Sequence, residues 1–370
     1  MPSTPPGRGR IARAGLRLVT LPLGAARGGS GATQLQLAIV TLTDTDGATG
    51  TGYTYALGPG MAATAALLEE HHLPAVVGLP LHDWDRAWYQ MREATHRLGT
   101  GISLLATSAV DIAVWDLRAV RAQLPLYRLL GAQREEVPVY GSGRATHAMS
   151  TDELVAGSLS YIEEGYSAVK LRVGVHPPAQ DIARVAAVRE ALGEQATIMV
   201  DANERLDLPT AQWMAPRLAD LAVAWFEEPV PSRHPHAHRI LAGGHTPPLA
   251  VGEHLLGLSA YTAFTTSAPV WMPDAPLTGG VSEFRRIDAL AEAHGASVTP
   301  HFLPELHVHL VAAGRATTWL EHFPLLDDLL AQTLPVKDGR AAPPERPGHG
   351  MLWDHERLAA HTVRTYQTHP

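Results

Sequence analysis

The chain of 370 residues contains no cysteine, which excludes disulfide bonds and thiolate catalysis. It has no apolar run close to the roughly 20 residues that a membrane-spanning helix needs. The formal charge of -8 gives no excess of cations, which disfavours nucleic acid or an anionic membrane as a partner. Arg17 interrupts the first apolar stretch and no clean cleavage site follows it, so no signal peptide is predicted. We therefore expect a globular protein in the cytoplasm.

Three acidic residues in the middle of the chain each close a short apolar run. Asp201 ends ATIMVD, Glu227 ends LAVAWFE and Glu253 ends PLAVGE, with 26 positions from each to the next. This interval suits one strand, one helix and two loops, the repeat of a (β/α)₈ barrel, whose strand ends meet at one face. Three carboxylates brought together repel one another, and a hard divalent cation relieves that repulsion. The sequence therefore predicts one Mg²⁺ site, with Mn²⁺ able to substitute.

The same spacing continues on both sides of these three residues. Upstream, Lys170 and Arg172 lie two apart in SAVKLRVG, so both side chains point to one face of a strand. Downstream, further strand-like runs end at Asp274, His301 and Glu321. With VPVYGSG, which contains Ser142, as the first strand, the barrel has eight strands.

The N-terminal third has a different pattern, which predicts an α+β unit. We expect a disordered tail over residues 1–9, a strand over 10–23 and a hairpin over 34–55. Helices are predicted around residues 61–73, 82–96 and 102–122. The hairpin and helices separate this part of the chain from the barrel.

Residues 24–32, GAARGGSGA, are rich in glycine. On sequence alone they fit a mobile lid or an ordinary flexible surface loop equally well. We divide the chain into a capping domain at 1–132, a catalytic barrel at 133–330 and a C-terminal segment at 331–370.

The histidines need separate interpretation, because the chain has 20 of them. His301 is distinguished by its place one strand after Asp274, where a carboxylate can orient the imidazole and raise its basicity. His234, His236 and His238 lie in RHPHAHR, and we interpret them as a solvated loop rather than a second metal site.

Short motifs carry a family resemblance that their order and spacing make specific. They are K-x-R at Lys170, D-A-N at Asp201, E-E-P at Glu227, G-E at Glu253, M-P-D at Asp274 and the later His301. This set resembles the enolase superfamily, specifically the mandelate racemase subgroup (mandelate racemase/muconate lactonizing enzyme-like proteins). Residues 108–131, SAVDIAVWDLRAVRAQLPLYRLLG, resemble the same family, and the resemblance covers roughly residues 35–353.

The resemblance implies an α/β fold, a (β/α)₈-type (TIM) barrel with an N-terminal α+β capping domain. The C-terminal segment is then expected to return to the cap and complete it. The resemblance also favours the lid interpretation of residues 24–32 and implies a homo-oligomer.

The predicted chemistry is removal of the α-proton of a small-molecule carboxylate, with Mg²⁺ stabilising the resulting enediolate. Lys170 supplies a second positive charge, and Glu321, if kept protonated, donates a hydrogen bond to the other carboxylate oxygen. His301, held by Asp274, is the predicted base.

Other residues are predicted to surround the reaction rather than perform it. Asn203, two positions after Asp201, is expected to support the metal site or bind water. Ser142 and the loop that follows it to position 147 are expected to shape substrate selectivity, together with Tyr53 and Tyr55.

Arg172 departs from the mandelate racemase pattern, which is K-x-K with the second lysine as a base. Arginine is always protonated, so it accepts protons poorly and serves as a fixed cation. A racemase needs competent groups on both faces of the substrate, whereas in dehydration His301 alone can remove the α-proton and help the β-hydroxyl leave. We therefore predict an acid-sugar dehydratase that forms a 2-keto-3-deoxy acid.

Two alternatives remain open. The first is a racemase or epimerase of an α-substituted carboxylate, in which Lys170 acts as the other base. The second is an inactive barrel used for binding, which the presence of all three predicted ligands and of His301 disfavours.

Overall fold

The computed structural model describes residues 9–23 and 31–368. Its strands are β1 Ile11–Pro22, β2 Gln34–Asp44, β3 Thr49–Leu57, β4 Val137–Gly141, β5 Ala168–Arg172, β6 Thr197–Asp201, β7 Val223–Glu227, β8 Leu249–Val251, β9 Val270–Trp271, β10 Ser297–Val298, β11 Leu320–His322, β12 Leu330–Gln332, β13 Arg340–Ala341, β14 Leu352–Trp353 and β15 Thr362–Gln367. Most of the predicted tail and of the predicted lid, residues 1–8 and 24–30, lies outside the described residues.

The helices follow the same chain order. They are α1 Met61–Leu67, α2 Leu73–Val76, α3 Trp84–Ala94, α4 Gly101–Ala122, α5 Leu126–Leu129, α6 Thr151–Glu163, α7 Pro178–Leu192, α8 Leu208–Asp220, α9 Pro235–Ala242, α10 Leu258–Tyr261, α11 Ala275–Thr278, α12 Gly280–His294, α13 Pro304–Ala313 and α14 His355–His361. A turn of π-helix at Leu68–His72 joins α1 to α2. No helix in the described part of the chain is both long and apolar enough to cross a membrane.

The capping sheet is antiparallel, with its four strands in the order β15-β1-β2-β3. The turn between β2 and β3 forms because Asp44 Oδ1 accepts hydrogen bonds from the backbone N–H groups of Asp46 and Ala48, both at 2.9 Å. The long helix α4 packs across β3 where Gly52 leaves no side chain, since a Cβ there would collide with the carbonyl of Ala109. This close approach fixes the position of β3 relative to the helical layer.

The barrel consists of eight parallel strands, β4 to β11, with the order β10-β9-β8-β7-β6-β5-β4-β11. A bridge between Val298 and Thr317 joins β10 to the segment before β11 and closes the circle. Inward-facing side chains fill the interior: Tyr140, Ala168, Met199, Trp225, Ala250, Val270 and Met272. The predicted fold, a (β/α)₈-type barrel with an N-terminal α+β cap, is confirmed.

The C-terminal segment returns to the cap. Strand β15 pairs antiparallel with β1, and the Thr368 N–H donates to the Ala14 carbonyl at 2.9 Å. On the way, the His349 N–H donates to Asp116 Oδ1 on α4 at 2.7 Å. The segment therefore completes the capping sheet, while the division at residues 132 and 330 stays a prediction.

The interpretation of the three clustered histidines as a solvated loop is wrong in part. Pro235 begins helix α9 rather than a loop. His238 on this helix is buried, with its ring edge-on to Phe264 at 5.1 Å. The backbone N–H of the first helical residue has no partner within the helix, so a proline there costs no hydrogen bond. Pro235 was therefore a signal for a helix start, which the interpretation based on the histidines overlooked.

Candidate active site at the barrel mouth

The three acidic residues meet where the strands end. Asp201 and Glu227 are the last residues of β6 and β7, and Glu253 follows β8 by two positions. One carboxylate oxygen from each residue lies within 4.8 Å of the others. The Asp201 and Glu227 side chains are fully buried, and that of Glu253 is 11% exposed. The parallel strands thus bring these regularly spaced carboxylates together, as expected for the repeat of a (β/α)₈ barrel.

This oxygen cluster has the features of a divalent-cation site. Burial and the neighbouring Asp201 raise the pKa of Glu227 well above its ordinary value, because the cluster concentrates negative charge in a dry place. Glu253 Oε2 is buried and makes no hydrogen bond of good geometry among the described residues, although His301 Nε2 lies 3.2 Å from it. Three carboxylates that converge in this way fit Mg²⁺, which prefers hard oxygen ligands.

Lys170 lies fully buried at the base of the cluster. Its Nζ is 3.0 Å from Glu227 Oε1 and 2.9 Å from Glu321 Oε1. Burial lowers the pKa of Lys170, but Glu227 and Glu321 outweigh burial and raise it overall. The neighbouring carboxylates thus favour the charged ammonium form of Lys170, and its role as a second positive charge in the reaction stays a prediction.

The expectation that Glu321 is protonated is not supported by its surroundings. Besides the contact with Lys170, its Oε2 accepts a hydrogen bond from the Phe302 backbone N–H at 3.0 Å. Burial raises the pKa of Glu321, but Lys170 and the nearby His301 outweigh burial and lower it to about 2. A cation on one oxygen and an N–H donor on the other both favour the carboxylate form.

Arg172 is buried above Lys170, at the end of β5. Its Nη1 donates to Asp201 Oδ2 and, at 2.8 Å, to Asn203 Oδ1. Asn203 is held in turn, because its backbone N–H donates to Asp201 Oδ1 at 2.7 Å. Asn203 thus links Arg172 to the acidic cluster, and its role in supporting the metal site or binding water stays a prediction.

His301 and Asp274 form a hydrogen-bonded pair on the other side of the cluster. His301 Nδ1 lies 3.0 Å from Asp274 Oδ2, and its Nε2 lies 3.2 Å from Glu253 Oε2. Burial lowers the pKa of His301, but Glu253 and the hydrogen bond with Asp274 outweigh burial and raise it. The imidazole is therefore oriented, with Nδ1 toward its carboxylate and Nε2 toward the predicted metal ligands.

Tyr55 also contacts Asp274, and the sequence gave no indication of this contact. Its hydroxyl donates to Asp274 Oδ2 at 2.6 Å, the same oxygen that contacts His301. Tyr55 comes from β3 in the cap and Asp274 from the barrel, so the contact crosses between them. The only hint in the sequence that Tyr55 could reach the barrel was its position at the end of a predicted hairpin strand.

A cavity of about 310 Å³ opens above these residues, between cap and barrel. The cap contributes Tyr55, Ala56 and Leu57 to its walls, and the barrel contributes Arg172, Glu253 and His301 among others. The reactive groups on the barrel therefore face a space that the cap partly encloses, which is the usual location of a small-molecule site.

Two other predicted substrate residues, Tyr53 and Ser142, are not among the described residues that line this cavity. Tyr53 is fully buried and packs edge-on against Trp353 at 5.7 Å, and the described walls of the cavity do not include it. The prediction of Tyr53 as a substrate residue is therefore not supported, because the C-terminal segment covers it. Ser142 is buried and its carbonyl accepts a hydrogen bond from the Tyr161 hydroxyl at 2.5 Å, so substrate contact by Ser142 stays a prediction.

A second group, Glu204, Glu228 and His254, lies beside the predicted metal ligands, with His254 Nδ1 3.7 Å from Glu253 Oε1. The Glu228 carboxylate is buried and lies 2.7 Å from His254 Nδ1. Burial raises the pKa of Glu228 to about 7. Glu228 and His254 directly follow predicted ligands in E-E-P and G-E-H, which is the signal that could have identified them. Their contact ties the loops after β7 and β8 to each other.

Comparison with known proteins places this architecture in a family. Residues 153–357 match the enolase C-terminal domain-like family, and residues 15–131 match the N-terminal domain of the mandelate racemase / muconate lactonizing enzyme family. The fold and site thus define a barrel enzyme of this type. The chain belongs to the enolase superfamily, in its mandelate racemase / muconate lactonizing enzyme group.

Individual relatives cover most of the chain. It is 35% identical over 297 residues to L-talarate/galactarate dehydratase of Salmonella typhimurium, covering 80% of this chain and 74% of the relative. It is also 35% identical over 311 residues to 3,6-anhydro-alpha-L-galactonate cycloisomerase of Streptomyces coelicolor, covering 82% and 85%. A crystal structure of L-talarate dehydratase from Polaromonas sp. JS666, complexed with Mg and L-glucarate, superposes with a TM-score of 0.91 at 34% identity, covering 98% of this chain and 99% of that one.

Proposed function

We propose that the protein is a Mg²⁺-dependent acid-sugar dehydratase, which removes water from a polyhydroxy carboxylate to give a 2-keto-3-deoxy acid. The observation that carries this proposal is the asymmetry of the site. One side holds His301, a titratable base fixed by Asp274, and the other holds Arg172, a permanent cation fixed by Asp201 and Asn203.

Asp201, Glu227 and Glu253 are the residues that would hold the metal ion. When bound, Mg²⁺ supplies positive charge that stabilises the negative charge developing on the substrate carboxylate. Lys170 adds a buried cation beside the same ligands, at 3.0 Å from Glu227. These fixed charges favour the electron-rich form of the substrate over its ground state.

His301 performs the proton transfers in this proposal. Its Nε2 takes the proton from the α-carbon, and the electron pair of that C–H bond is delocalised onto the substrate carboxylate. The electron pair then forms a double bond between the α- and β-carbons as the bond from the β-carbon to its hydroxyl oxygen breaks. The imidazolium returns its proton to the departing hydroxyl, which leaves as water. The enol that remains takes up a proton from solvent at the β-carbon and loses its O–H proton to solvent, which gives the 2-keto-3-deoxy acid.

The relatives support this choice of reaction. A dehydratase of sugar diacids and a cycloisomerase of a sugar acid are each 35% identical to the chain. Racemisation stays the alternative, and Arg172 argues against it because a guanidinium returns or removes a proton poorly at neutral pH. In the racemase alternative Lys170 would act as the second base.

The test is proton NMR in D₂O with Mg²⁺ and a panel of aldonate and aldarate salts. We expect exchange of the α-proton and formation of a keto product with at least one salt, and neither with the matched variant His301→Asn. Failure to exchange the α-proton of any salt would contradict the proposal and favour a binding protein. Rapid interconversion of α-epimers without a keto product would favour the racemase.

The proposal includes a cytoplasmic location and a homo-oligomeric assembly. Both come from the composition and the family resemblance, and light scattering on the purified protein would test the second. A monomer at micromolar concentration would contradict it.

A further inference from the structure

His307, on helix α13, is a fully buried histidine that the proposed chemistry does not use. Its two ring nitrogens contact the backbone of two different loops. Nδ1 lies 2.7 Å from the Phe302 carbonyl, and Nε2 accepts a hydrogen bond from the Ala275 N–H at 3.1 Å. Phe302 directly follows His301, and Ala275 directly follows Asp274. One imidazole therefore joins the loop that carries the predicted base to the loop that carries its carboxylate partner.

These two contacts fix the tautomer of His307. A carbonyl oxygen can only accept, so Nδ1 carries the proton, and Nε2 must be unprotonated to accept from the Ala275 N–H. Burial lowers the pKa of His307, which favours the same neutral form. Ala275 is the first residue of α11, so its N–H has no acceptor within that helix. The His307 ring is thus a donor to one loop and an acceptor for the other.

The backbone beside the predicted base has an unusual conformation. Phe302 has a φ of 52° and Leu303 a φ of 48°, in the left-handed region that residues other than glycine seldom adopt. Such a conformation persists only where its surroundings hold it. The Phe302 N–H donates to Glu321 Oε2 at 3.0 Å, and its carbonyl accepts from His307. The Phe302 ring stacks on the His301 imidazole, with ring centroids 3.6 Å apart, so a shift of this backbone would move a ring that lies against the base.

We propose that His307 is a positioning residue for the proton transfer, which holds the loops after β9 and β10 so that the His301 imidazole stays aligned with Asp274. The inference rests on the proposed function, in which His301 Nε2 removes the α-proton. A direct contact between the loops, from the His301 N–H to the Pro273 carbonyl, is 3.4 Å long and lies beyond the usual range of such bonds. Without His307 we expect the imidazole to adopt orientations that do not point at the substrate.

The experiment removes the two contacts of His307 separately and together. His307→Asn places an amide N–H near the position of Nδ1 and can still donate to Phe302. His307→Gln places an amide oxygen near the position of Nε2 and can still accept from Ala275. His307→Phe keeps a flat ring and removes both contacts. The matched control is His309→Phe, because His309 is buried on the same helix and its nitrogens also contact two backbone groups, away from these loops.

Each protein is assayed for kcat and KM of α-proton exchange in D₂O, with rates expressed per Mg²⁺ site counted by calorimetry, so that unfolded protein is not included. We expect kcat to fall about 10²-fold in His307→Phe and about tenfold in His307→Asn and His307→Gln, the effect of two and of one lost buried hydrogen bonds. KM and Mg²⁺ affinity should stay close to the wild-type values, because His307 is not among the described residues that line the cavity or form the acidic cluster. His309→Phe should lower the stability in urea and leave kcat per site unchanged.

A wild-type kcat in His307→Phe would overturn the inference. An equal loss of kcat in His309→Phe would also overturn it, because the loss would then be a general effect of disrupting the core. Absence of exchange by the wild type with every salt would contradict the proposed function instead. Crystal structures then decide the inference: a longer separation of His301 from Asp274 in His307→Phe than in the wild type supports it, and an unchanged separation overturns it.

Discussion

The Tyr55 hydroxyl donates to Asp274 Oδ2 at 2.6 Å, and thereby joins the capping domain to the residue that orients the predicted base. The same oxygen lies 3.0 Å from His301 Nδ1. One oxygen of Asp274 thus contacts both the Tyr55 hydroxyl from the cap and the His301 imidazole from the barrel. Without Tyr55 the carboxylate is free to rotate about its own bond, and the imidazole loses a fixed partner.

Tyr55→Phe should therefore lower kcat for α-proton exchange by about tenfold, the value of one buried hydrogen bond. KM should change by less, because the phenyl ring still fills the wall of the cavity. Tyr53→Phe is the control, since the Tyr53 hydroxyl is buried without a hydrogen-bond partner among the described residues. Equal loss of kcat in both variants would show that the contact with Asp274 has no special role.

The acidic cluster predicts dependence on a divalent cation. EDTA should abolish activity, and Mg²⁺ or Mn²⁺ should restore it. Asp201→Asn should weaken Mg²⁺ binding severely in isothermal titration while circular dichroism shows an intact fold. Full Mg²⁺ affinity in both Asp201→Asn and Glu253→Gln would mean that the metal site lies elsewhere.

Because Arg172 is a fixed cation and a poor base, we expect only one α-epimer of a substrate to react. If only His301 removes protons, the substrate whose α-proton faces it should be dehydrated and its α-epimer left unchanged. In Arg172→Lys a neighbouring Lys170 would lower the pKa of the new lysine and open slow exchange from the opposite face. Proton NMR in D₂O with each epimer, at equal Mg²⁺, compares the variant with the wild type. If the wild type exchanged the α-protons of both epimers at similar rates, His301 could not be the sole base.

The buried, hydrogen-bonded imidazole of His309 leads us to expect that acid destabilises the fold. It is buried, its Nδ1 accepts a hydrogen bond from the Tyr127 backbone N–H at 3.3 Å and its Nε2 lies 2.8 Å from the His349 carbonyl. Burial lowers the pKa of His309 to about 3, whereas an unfolded histidine has a pKa of about 6.5. Between these values the unfolded chain binds a proton that the folded chain does not, so stability falls as the pH drops below about 6.5.

At pH 5 this residue alone should reduce the free energy of unfolding by about 2 kcal/mol relative to pH 8. Urea denaturation at the two pH values measures the difference. His309→Gln should be less stable than the wild type at pH 8, because it loses a fitted hydrogen-bond pair, but its stability should change less with pH. A pH dependence identical to that of the wild type would assign the acid sensitivity to other groups.

The strand ends were predictable because the barrel repeats one unit along the sequence. Asp201, Glu227 and Glu253 recur at a fixed interval, and the parallel strands turn that interval into proximity. The pairing of Asp274 with His301 follows from the same rule applied to adjacent strands.

The contact of Tyr55 with Asp274 follows no such rule, because 219 positions and a domain boundary separate the two residues. The burial of Tyr53 could not be predicted for a similar reason. Tyr53 and Tyr55 lie two apart on one strand face, but Tyr53 packs against Trp353 from the C-terminal segment whereas the Tyr55 hydroxyl donates to Asp274. The ionisation of Glu321 depends on Lys170 and on the Phe302 backbone N–H, and a single sequence gives no distance between them.

The pairing of β15 with β1 sets an order of events during synthesis of the chain. Strand β1 is made first, but the partner for its outer edge is made only after all eight strands of the barrel. Until then β1 has unpaired backbone groups along one edge, which other chains can bind. A chain in which β15 has not yet paired therefore has an incomplete capping sheet, and we expect conditions that delay this pairing to favour aggregation through the β1 edge.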